Sequence, residues 1–341
     1  MKVTLEQVAK YAGVSRGTVD RVVNNRGNVR PDVEQRVREA LKVLNYERNK
    51  IASALAYSKN EKKVCAVFQK TNSEDYNAKI MKGINDAKKE LKDFGIAVEV
   101  AMCSTSDAEE FLQKIDTMIQ EGVCGFAVKA PSLSEISDKI NSLVKRGIPV
   151  ITFNSDIPEN QRTCFVGQDL YQSGRVAGNI MASLIRPGEK IVIGCGIPQY
   201  HAHQERVDGF VYELKKRGFQ EDQWKVFHTH QNYGVTYQCL EEIFQEEENI
   251  RGIYMSVEPN EACGAFLETH SLRHRPFVVC HDTAPETIEY LKKGVFDYII
   301  DQDVYMQSYY SLSLLRDAFR YGTCEPRKIL DVNIYNEACF E

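Results

Sequence analysis

Two arginines near the N-terminus have the chemistry and the spacing to read DNA bases. Arg16 and Arg21 alternate with regularly spaced valines, so a helix there would present both side chains on its outer face. The guanidinium fork of arginine matches the O6 and N7 acceptors that guanine exposes in the major groove. The polar stretch that follows holds Asn24, Asn25 and Arg30, which can contact phosphates and fix register without specifying sequence.

Three short helices must position these side chains. The first has an apolar stripe at helical spacing between Leu5 and Ala12, and Gly13 can end it with a positive φ. Ser15 is a suitable N-cap for the second helix, and Pro31 is a suitable first-turn residue for the third. Two short helices joined by a glycine-containing turn form a helix-turn-helix. A small three-helix bundle with a basic face is the alternative.

Charge is distributed unevenly along the 341 residues. Residues 1–60 carry 12 Lys and Arg against 6 Asp and Glu, a net charge of +6, whereas the remainder carries 31 against 42, a net charge of −11. The overall charge of −5 therefore hides a basic head on an acidic body, the asymmetry expected of a nucleic-acid-binding module attached to something else. Hydrophobic residues make up 43% of the chain, which excludes extensive disorder.

The N-terminus and the cysteines bear on the cellular compartment. MKVTLEQVAK has no apolar core of a secretory signal, and no apolar run approaches the ~20 residues of a membrane span. The ten cysteines contain no C-x-x-C pair, which is typical of reduced, mostly buried thiols. We therefore expect a cytoplasmic protein without a membrane partner.

The basic head resembles a known DNA-binding module. The run VTLEQVAKYAGVSRGTVDRVVNNRGNVRPDVEQRVREALKVLNY, continuing into NKIASALA, is similar to the headpiece of the lactose-repressor (LacI) family of bacterial transcription regulators. The motifs A-G-V-S, T-V-x-R-V and N-x-x-A-x-x-L carry the resemblance. It implies an all-α helix-turn-helix headpiece over residues 1–46, a hinge helix or linker over 47–60, and double-stranded operator DNA as partner. The DNA-contacting positions that it implies are Thr4, Ser15, Arg16, Gly17, Thr18, Asp20, Arg21, Asn24, Asn25, Arg30, Asn49, Ala52 and Leu55.

Two positions of the second helix depart from the family pattern. Gly17 stands where relatives usually present a reading side chain, so Arg16 and Arg21 should carry more of the base discrimination. Asp20 stands where most relatives have serine. Its carboxylate could accept from a cytosine amine or orient Arg16 one helical turn away, and the sequence leaves both roles open.

The hinge segment is too short to be a stable helix alone in water, so it could fold only on DNA. Leu55 matches the leucine that the family wedges into a central minor-groove step, and packing against the body is the alternative. Ser53 replaces an arginine that many relatives carry. Because two hinges must meet at the wedge, the resemblance implies a homodimer on a pseudo-palindromic operator.

From Lys63 onward, short apolar segments alternate with amphipathic ones. We predict helices at 107–121 and 235–247 among others, and strands at 64–68, 97–101, 125–128, 149–153, 191–194, 226–228, 252–255, 277–279 and 298–300. This rhythm predicts an α/β fold of parallel sheets flanked by helices, and the length of the body predicts two lobes. In such sheets a ligand binds at the carboxyl ends of the strands.

Landmarks in the body resemble the type I periplasmic binding-protein-like effector domain, which the resemblance implies over residues 61–341. They include VFQKTNSEDYNAKIMKGI, GIPVITFNSDIP, QERVDGFVYELKKRG and VVCHDTAPETIEYLKKG. Sugar-binding relatives hold the ring with aromatic faces and its hydroxyls with carboxylates, amides and an arginine. The matching positions are Tyr76, Asn77, Asn154, Ser155, Asp156, Arg206, Glu258, Asp282 and Gln302. A polar set of this kind suits a small polyhydroxylated, sugar-like effector, because each buried hydroxyl needs a partner.

This candidate site departs from ribose-type binders at two places. Asn154 and Ser155 replace an Asp-Arg pair, and Glu258 stands in for a neutral amide. An unpaired buried charge is costly, so Arg206 should face an acid or an anionic ligand group. The identity of the effector stays open.

Other chemistries have weak signals. The G-x-G at 194–196 lacks the third glycine of a dinucleotide site, and the pairs His201/His203 and His228/His230 lack a third metal ligand. No G-x-S-x-G or P-loop is present. We expect no catalytic site, no cofactor and no metal.

These observations together predict a ligand-responsive repressor. A corepressor-dependent or protein-partner-dependent regulator is one alternative, and an enzyme or carrier body tethered to DNA is another. The lack of catalytic motifs counts against the last. The sequence does not distinguish a dimer from a tetramer.

Overall fold

The computed structural model describes residues 3–23, 29–44, 61–104, 107–157, 160–196, 201–322 and 324–340. Within these residues, no helix has both the length and the apolar character to cross a membrane. All ten cysteines are free thiols. The predicted hinge over 47–60 lies outside the described residues.

The head consists of three helices, as predicted: α1 (Leu5–Ala12), α2 (Arg16–Val23) and α3 (Pro31–Val43). Thr4 begins α1 with a capping box, in which its hydroxyl accepts from the Gln7 backbone and the Gln7 side chain accepts from the Thr4 backbone. Gly13 takes a φ of 64° and allows the short turn into α2. The three helices share one small core, formed by Val8, Ala9, Ala12, Val19, Val22, Val37 and Ala40.

The body contains twelve strands and nine α-helices among its described residues. The strands are β1 (Lys62–Gln69), β2 (Ile96–Cys103), β3 (Val123–Lys129), β4 (Val150–Phe153), β5 (Cys164–Gln168), β6 (Lys190–Cys195), β7 (Trp224–His228), β8 (Ile250–Met255), β9 (Phe277–His281), β10 (Tyr298–Asp301), β11 (Arg327–Leu330) and β12 (Asn333–Tyr335). The helices are α4 (Glu74–Lys92), α5 (Ala108–Gln120), α6 (Ser134–Lys145), α7 (Leu170–Leu184), α8 (His201–Lys216), α9 (Tyr233–Glu246), α10 (Asn260–Thr269), α11 (Pro285–Lys292) and α12 (Val304–Tyr321).

The strands form two six-stranded sheets, one in each lobe. Lobe 1 has the strand order β11-β5-β4-β3-β1-β2, and lobe 2 has the order β12-β10-β9-β8-β6-β7. Helices cover both faces of each sheet, which explains why strands such as β1 are almost continuously buried instead of alternating. The predicted two-lobed α/β fold is confirmed.

The sequence did not predict three of the strands, β5, β11 and β12, and one of these breaks the predicted all-parallel pairing. β12 pairs antiparallel with β10, whereas the other strand pairs are parallel. β11 ends at the cleft in lobe 1, and only two residues later β12 begins in lobe 2. It therefore starts at the cleft, where the other strands of lobe 2 end, and must run against them.

The chain passes between the lobes three times, and one side chain joins the three passages. They follow β5, β10 and β11, at residues 169, 302–303 and 331–332. Gln168 is 2% exposed, and its Nε2 donates to the carbonyl oxygens of Asp301 at 3.2 Å and Asp331 at 3.1 Å. A single amide at the first passage thus binds the backbone of the other two.

Helices α7 and α8 of lobe 2 approach so closely that only glycine fits at their crossing. A Cβ built on Gly174 would lie 1.9 Å from the carbonyl oxygen of Arg206, and one built on Gly209 would lie 2.0 Å from that of Tyr171. This contact fixes the position of the backbone that carries Arg206.

We expect Gly174→Ala to lower the free energy of unfolding by about 1–3 kcal/mol, because the added methyl forces the two helices apart. Gly234→Ala is the matched control, since a Cβ there meets only the Asn232 side chain, at 3.5 Å. It should be neutral or stabilise α9 by up to about 1 kcal/mol, the helix propensity gained. Urea unfolding followed by circular dichroism measures both, and equal effects of the two substitutions would contradict the crossing argument.

Candidate DNA interface and ligand cleft

The outer face of α2 presents the two arginines that the sequence singled out. Val19 and Val22 are buried in the core of the head, whereas Arg16 and Arg21 are exposed. Nη1 of Arg16 lies 3.9 Å from Oε1 of Glu6 on α1, in a pair exposed on both sides. An exposed ion pair of this kind contributes little, so Arg16 can leave it for a base or a phosphate at small cost.

The start of α2 is held by its own side chains. The Ser15 hydroxyl accepts from the Thr18 backbone N–H at 3.1 Å and lies 2.9 Å from the Thr18 hydroxyl. A Cβ at Gly17 would meet only the Ser15 hydroxyl, at 3.7 Å, so packing does not require glycine there. Asp20 is half-buried on the same helix. Gly17 therefore leaves open space on the face that Arg16 and Arg21 share.

The remaining predicted DNA contacts divide into described and undescribed residues. Thr4 caps α1, as above, and the guanidinium of Arg30 pairs with the Asp32 carboxylate through two bonds of 3.2 Å. Arg30 is highly exposed, which suits a phosphate contact. Five predicted contacts lie outside the described residues: Asn24, Asn25, Asn49, Ala52 and Leu55. They stay predictions.

Six predicted ligand-binding residues meet at the cleft where the strands of both lobes end. Tyr76 and Asn154 come from lobe 1, Arg206, Glu258 and Asp282 come from lobe 2, and Gln302 lies at a passage between them. Asn154 and Asp282 each directly follow a strand and take positive φ angles of 70° and 74°. Asn and Asp tolerate this conformation better than most residues, and it turns the chain sharply at the strand end.

A chain of side-chain hydrogen bonds runs across the cleft. Nδ2 of Asn154 donates to Oε1 of Gln302 at 2.9 Å and to Oε1 of Gln307 at 3.0 Å. Nε2 of Gln302 then donates to Oδ1 of Asp282 at 2.6 Å. We call Asn154, Gln302, Gln307 and Asp282 the amide relay. All four are buried, so their mutual bonds replace those that water would supply.

Helix α4 makes two more bridges from lobe 1 to lobe 2. The Ser73 hydroxyl, which caps the helix, donates to Oε1 of Glu258 at 3.3 Å. Six residues further on, Nζ of Lys79 donates to the Thr283 hydroxyl at 3.1 Å. Polar contacts therefore join the two lobes on both sides of Tyr76.

Arg206 is buried with most of its donors free of hydrogen bonds. It is 4% exposed, and its Nη1 donates to the Ser256 carbonyl at 2.8 Å. Its Nε has no hydrogen-bond partner among the described residues, and none of their carboxylates lies at ion-pair distance. Of the two partners expected for Arg206, an acid is absent from the described chain, which leaves an anionic ligand group as the prediction.

The environment of the cleft favours the protonated form of two of its acids, Glu258 and Asp301. Burial, together with the charges of Asp282 and Glu261, raises the pKa of Glu258 to about 8, and burial with Asp282 also raises the pKa of Asp301. Burial and the nearby acids raise the pKa of Tyr76 as well, so its hydroxyl stays a donor. A protonated Glu258 has one donor and one acceptor, like the neutral amide that it replaces in the family pattern.

The structure commits Asn77 and Asp156 to contacts within lobe 1. Asn77 bonds to the Thr71 backbone through both the oxygen and the nitrogen of its side-chain amide, at 3.0 and 2.8 Å, and so fixes the loop that precedes α4, the helix of Tyr76. Asp156 bonds to Arg162 and lies 3.5 Å from Arg327. Ser155 is half-buried beside them. Direct ligand contacts by these three residues stay predictions, and the first two have positioning roles.

Sequence reasoning missed one charged residue of the cleft, Lys129, the last residue of β3. It is 9% exposed, and its Nζ lies 5.4 Å from the centroid of the Tyr76 ring. Burial lowers its pKa to about 8. A lysine that directly ends an apolar strand, as in VCGFAVK, is the signal that could have found it.

The described residues contain no group of three or more His, Cys, Asp or Glu that could hold a metal ion. His228 instead contacts the Gly196 carbonyl, with its Nδ1 at 3.2 Å, and its ring centroid lies 6.2 Å from that of His230.

We expect Glu258→Gln to flatten the pH dependence of stability. The native state retains the Glu258 proton up to about pH 8, whereas the unfolded chain releases it near 4.5. Because the native state then binds more protons, wild-type stability falls relative to the variant as pH rises through this window and is constant above it. Urea unfolding from pH 5 to 9 measures the difference.

Glu135→Gln provides the control for this titration. Its carboxylate is exposed at the start of α6, and hydrogen bonds from its own backbone and Ser134 lower its pKa, so it titrates below this window. A constant offset between wild type and Glu258→Gln at every pH would refute the protonated carboxyl.

Two family descriptions match this chain. Residues 4–49 match bacterial regulatory proteins of the lacI family, and residues 65–323 match the periplasmic binding protein domain. The maltose regulon regulatory protein MalI of Vibrio furnissii is 34% identical over 126 residues, 37% of this chain and 88% of that protein. Catabolite control protein A of Priestia megaterium is 25% identical over 260 residues, 76% of this chain and 75% of that protein.

Solved structures share the fold of the body. The crystal structure of GanP, a glucose-galactose binding protein from Geobacillus stearothermophilus, superimposes with a TM-score of 0.71 at 20% identity. The match covers 82% of this chain and 99% of that one. At this identity the likeness establishes the two-lobed fold alone.

Proposed function

We infer that this chain, which belongs to the LacI family of bacterial regulatory proteins and carries a periplasmic binding protein domain over residues 65–323, is a transcription repressor controlled by a sugar-like effector. It acts in the cytoplasm as a homodimer on a pseudo-palindromic operator, and the two hinge segments of the dimer meet at the centre of that operator. The effector is bound and released unchanged, without a cofactor.

The helix α2 supports the DNA-binding part of this proposal. Its N-terminus is capped by Ser15, its inner face is buried, and its outer face carries Arg16 and Arg21 free of strong partners. A recognition helix enters the major groove with its N-terminal residues at the base edges, which is where Arg16 lies. Phosphate contacts by the basic head should make binding fall steeply with salt.

The observation that carries effector control is that the lobes are joined by the same side chains that should bind the effector. Asn154, Gln302 and Asp282 satisfy one another across the cleft, and Glu258 bonds to Ser73 of the opposite lobe. A polyhydroxylated ligand would replace these bonds with its own and so change how the lobes close. A coupling of about 1–3 kcal/mol would change operator affinity some 5- to 150-fold.

The operator can be recovered by binding the full-length protein to a random duplex library and sequencing the retained DNA. We expect a pseudo-palindrome, and fluorescence anisotropy then measures its affinity for variants. Arg16→Ala or Arg21→Ala should weaken binding about 5- to 150-fold, because each bidentate base contact contributes about 1–3 kcal/mol. Arg146→Ala removes the same charge from an exposed position of the body and should leave affinity within about twofold. Full operator affinity in both head variants would overturn the assignment of α2.

A thermal-shift screen of the full chain against neutral sugars, sugar acids, sugar phosphates and polyols tests the effector class. A true ligand should raise the midpoint progressively as its concentration exceeds its dissociation constant. The compound that binds should then change operator affinity at least fivefold. Binding without any change in operator affinity would contradict regulation, and the absence of binding by every sugar would contradict a sugar effector.

A further inference from the structure

Lys129 is a buried cation to which the described chain supplies no acidic partner. Its side chain is nine-tenths buried at the cleft end of β3, and none of the described carboxylates forms an ion pair with it. Its Nζ lies over the face of the Tyr76 ring, 5.4 Å from the ring centroid, in a cation–π contact. An ammonium group can donate three hydrogen bonds, and an aromatic face satisfies none of them.

The electrostatics around Lys129 agree with this geometry. Burial lowers its pKa to about 8, and no neighbouring acid acts in the opposite direction. The other lysine of the cleft, Lys79, shows the contrast, because it pairs with Asp75 at 2.6 Å and is only partly buried. Desolvation of an unpaired charge costs stability, so a fold would not retain Lys129 for stability alone.

Lys129 lies at the cleft end of β3, on the lobe 1 side of the predicted ligand site. The Tyr76 ring lies against Lys129, while the Tyr76 hydroxyl is within the electrostatic reach of Arg206, Asp282 and Glu258 of lobe 2. Tyr76 thus lies between Lys129 and the lobe 2 side chains, so a ligand held by Arg206, Asp282 and Glu258 could also supply a partner to Lys129.

We propose that Lys129 is the specificity residue for a carboxylate, and that the effector is a sugar acid of the hexuronate class instead of a neutral sugar. This deepens the proposed function and rests on it. The hydroxyls of such a ligand would meet the amide relay and Glu258, and its carboxylate would supply the acceptors that Lys129 lacks. A phosphate dianion would bring a second charge close to Asp282 and Asp301, which face the same cleft.

Paired ligands that differ at one carbon provide the test. Isothermal titration calorimetry on the full chain compares D-glucuronate with D-glucose, D-galacturonate with D-galactose, and D-mannuronate with D-mannose, with glucose 6-phosphate as a separate arm. For at least one pair we expect the uronate to bind at least tenfold more tightly than its neutral hexose. Lys129→Met should bring that ratio close to one, and Lys129→Arg should retain most of it.

A second measurement separates a binding role from a structural one. Lys129→Met removes an unpaired buried charge, so without ligand its thermal midpoint should equal or exceed that of wild type. Lys92→Met, at the exposed far end of α4, is the matched control and should change neither the midpoint nor the ratio.

The outcomes distinguish this inference from the proposed function. Preference for a neutral hexose, unchanged in Lys129→Met, would overturn the carboxylate site while leaving a sugar-controlled repressor intact. Tighter binding of glucose 6-phosphate than of every uronate would also overturn it. Binding by no sugar at all would refute the effector class together with the inference. A midpoint for Lys129→Met well below wild type, with the ratio unaltered, would show a structural role instead.

Discussion

The two lobes are connected by three backbone passages, and the side-chain amide of Gln168 holds these passages together. It is buried at the first passage and donates to carbonyls at the second and third. These two hydrogen bonds hold the three passages together at one point. A change in the angle between the lobes would have to keep these bonds or break them.

The cleft contains more negative groups than positive ones, yet its environment reduces the charge that it presents. Glu258 holds its proton because it is buried close to Asp282, and Gln302 donates to Asp282. Arg206 and Lys129 are buried in the cleft without carboxylate partners in the described chain. The protein thus holds Glu258 neutral beside Asp282 and leaves two basic side chains available to an incoming ligand. Such sites reduce stability, and their retention is a general feature of binding sites.

Local chemistry determined what the sequence could predict. The headpiece follows from Gly13, Ser15 and Pro31, each of which needs only neighbouring residues to define a helix end. The nine predicted strands are short apolar segments, and most of them are followed by a segment with the apolar spacing of an amphipathic helix. The sequence did not predict β11 and β12, because they are short edge strands whose exposed residues give no apolar run. Their pairing depends on where the chain passes between lobes, which no local pattern encodes.

The sequence predicted which residues meet at the cleft, but not the hydrogen-bond partner of each one. Residues after strand ends were expected to meet, and Asn154, Asp282 and Gln302 do so. Which side chain uses its polar atoms internally depends on packing over long sequence distances. Asn77 and Asp156 have the right chemistry, yet Thr71 and Arg162 occupy their atoms. Lys129 escaped because a lysine at a strand end is most often solvated, and only the fold reveals that it is buried.

One member of the amide relay, Gln307, belongs to α12, the helix that packs against α4 and its residue Tyr76. Gln307 lies in the first turn of α12, and the next residue, Ser308, donates to the Ile80 carbonyl of α4 at 3.1 Å. The two helices meet at Gly83, where a Cβ would lie 2.3 Å from the Tyr305 carbonyl oxygen. Close-packed helices shift together and do not deform independently. A ligand that displaced Gln307 would therefore act on α12 and, through this contact, on α4, which begins at the cleft.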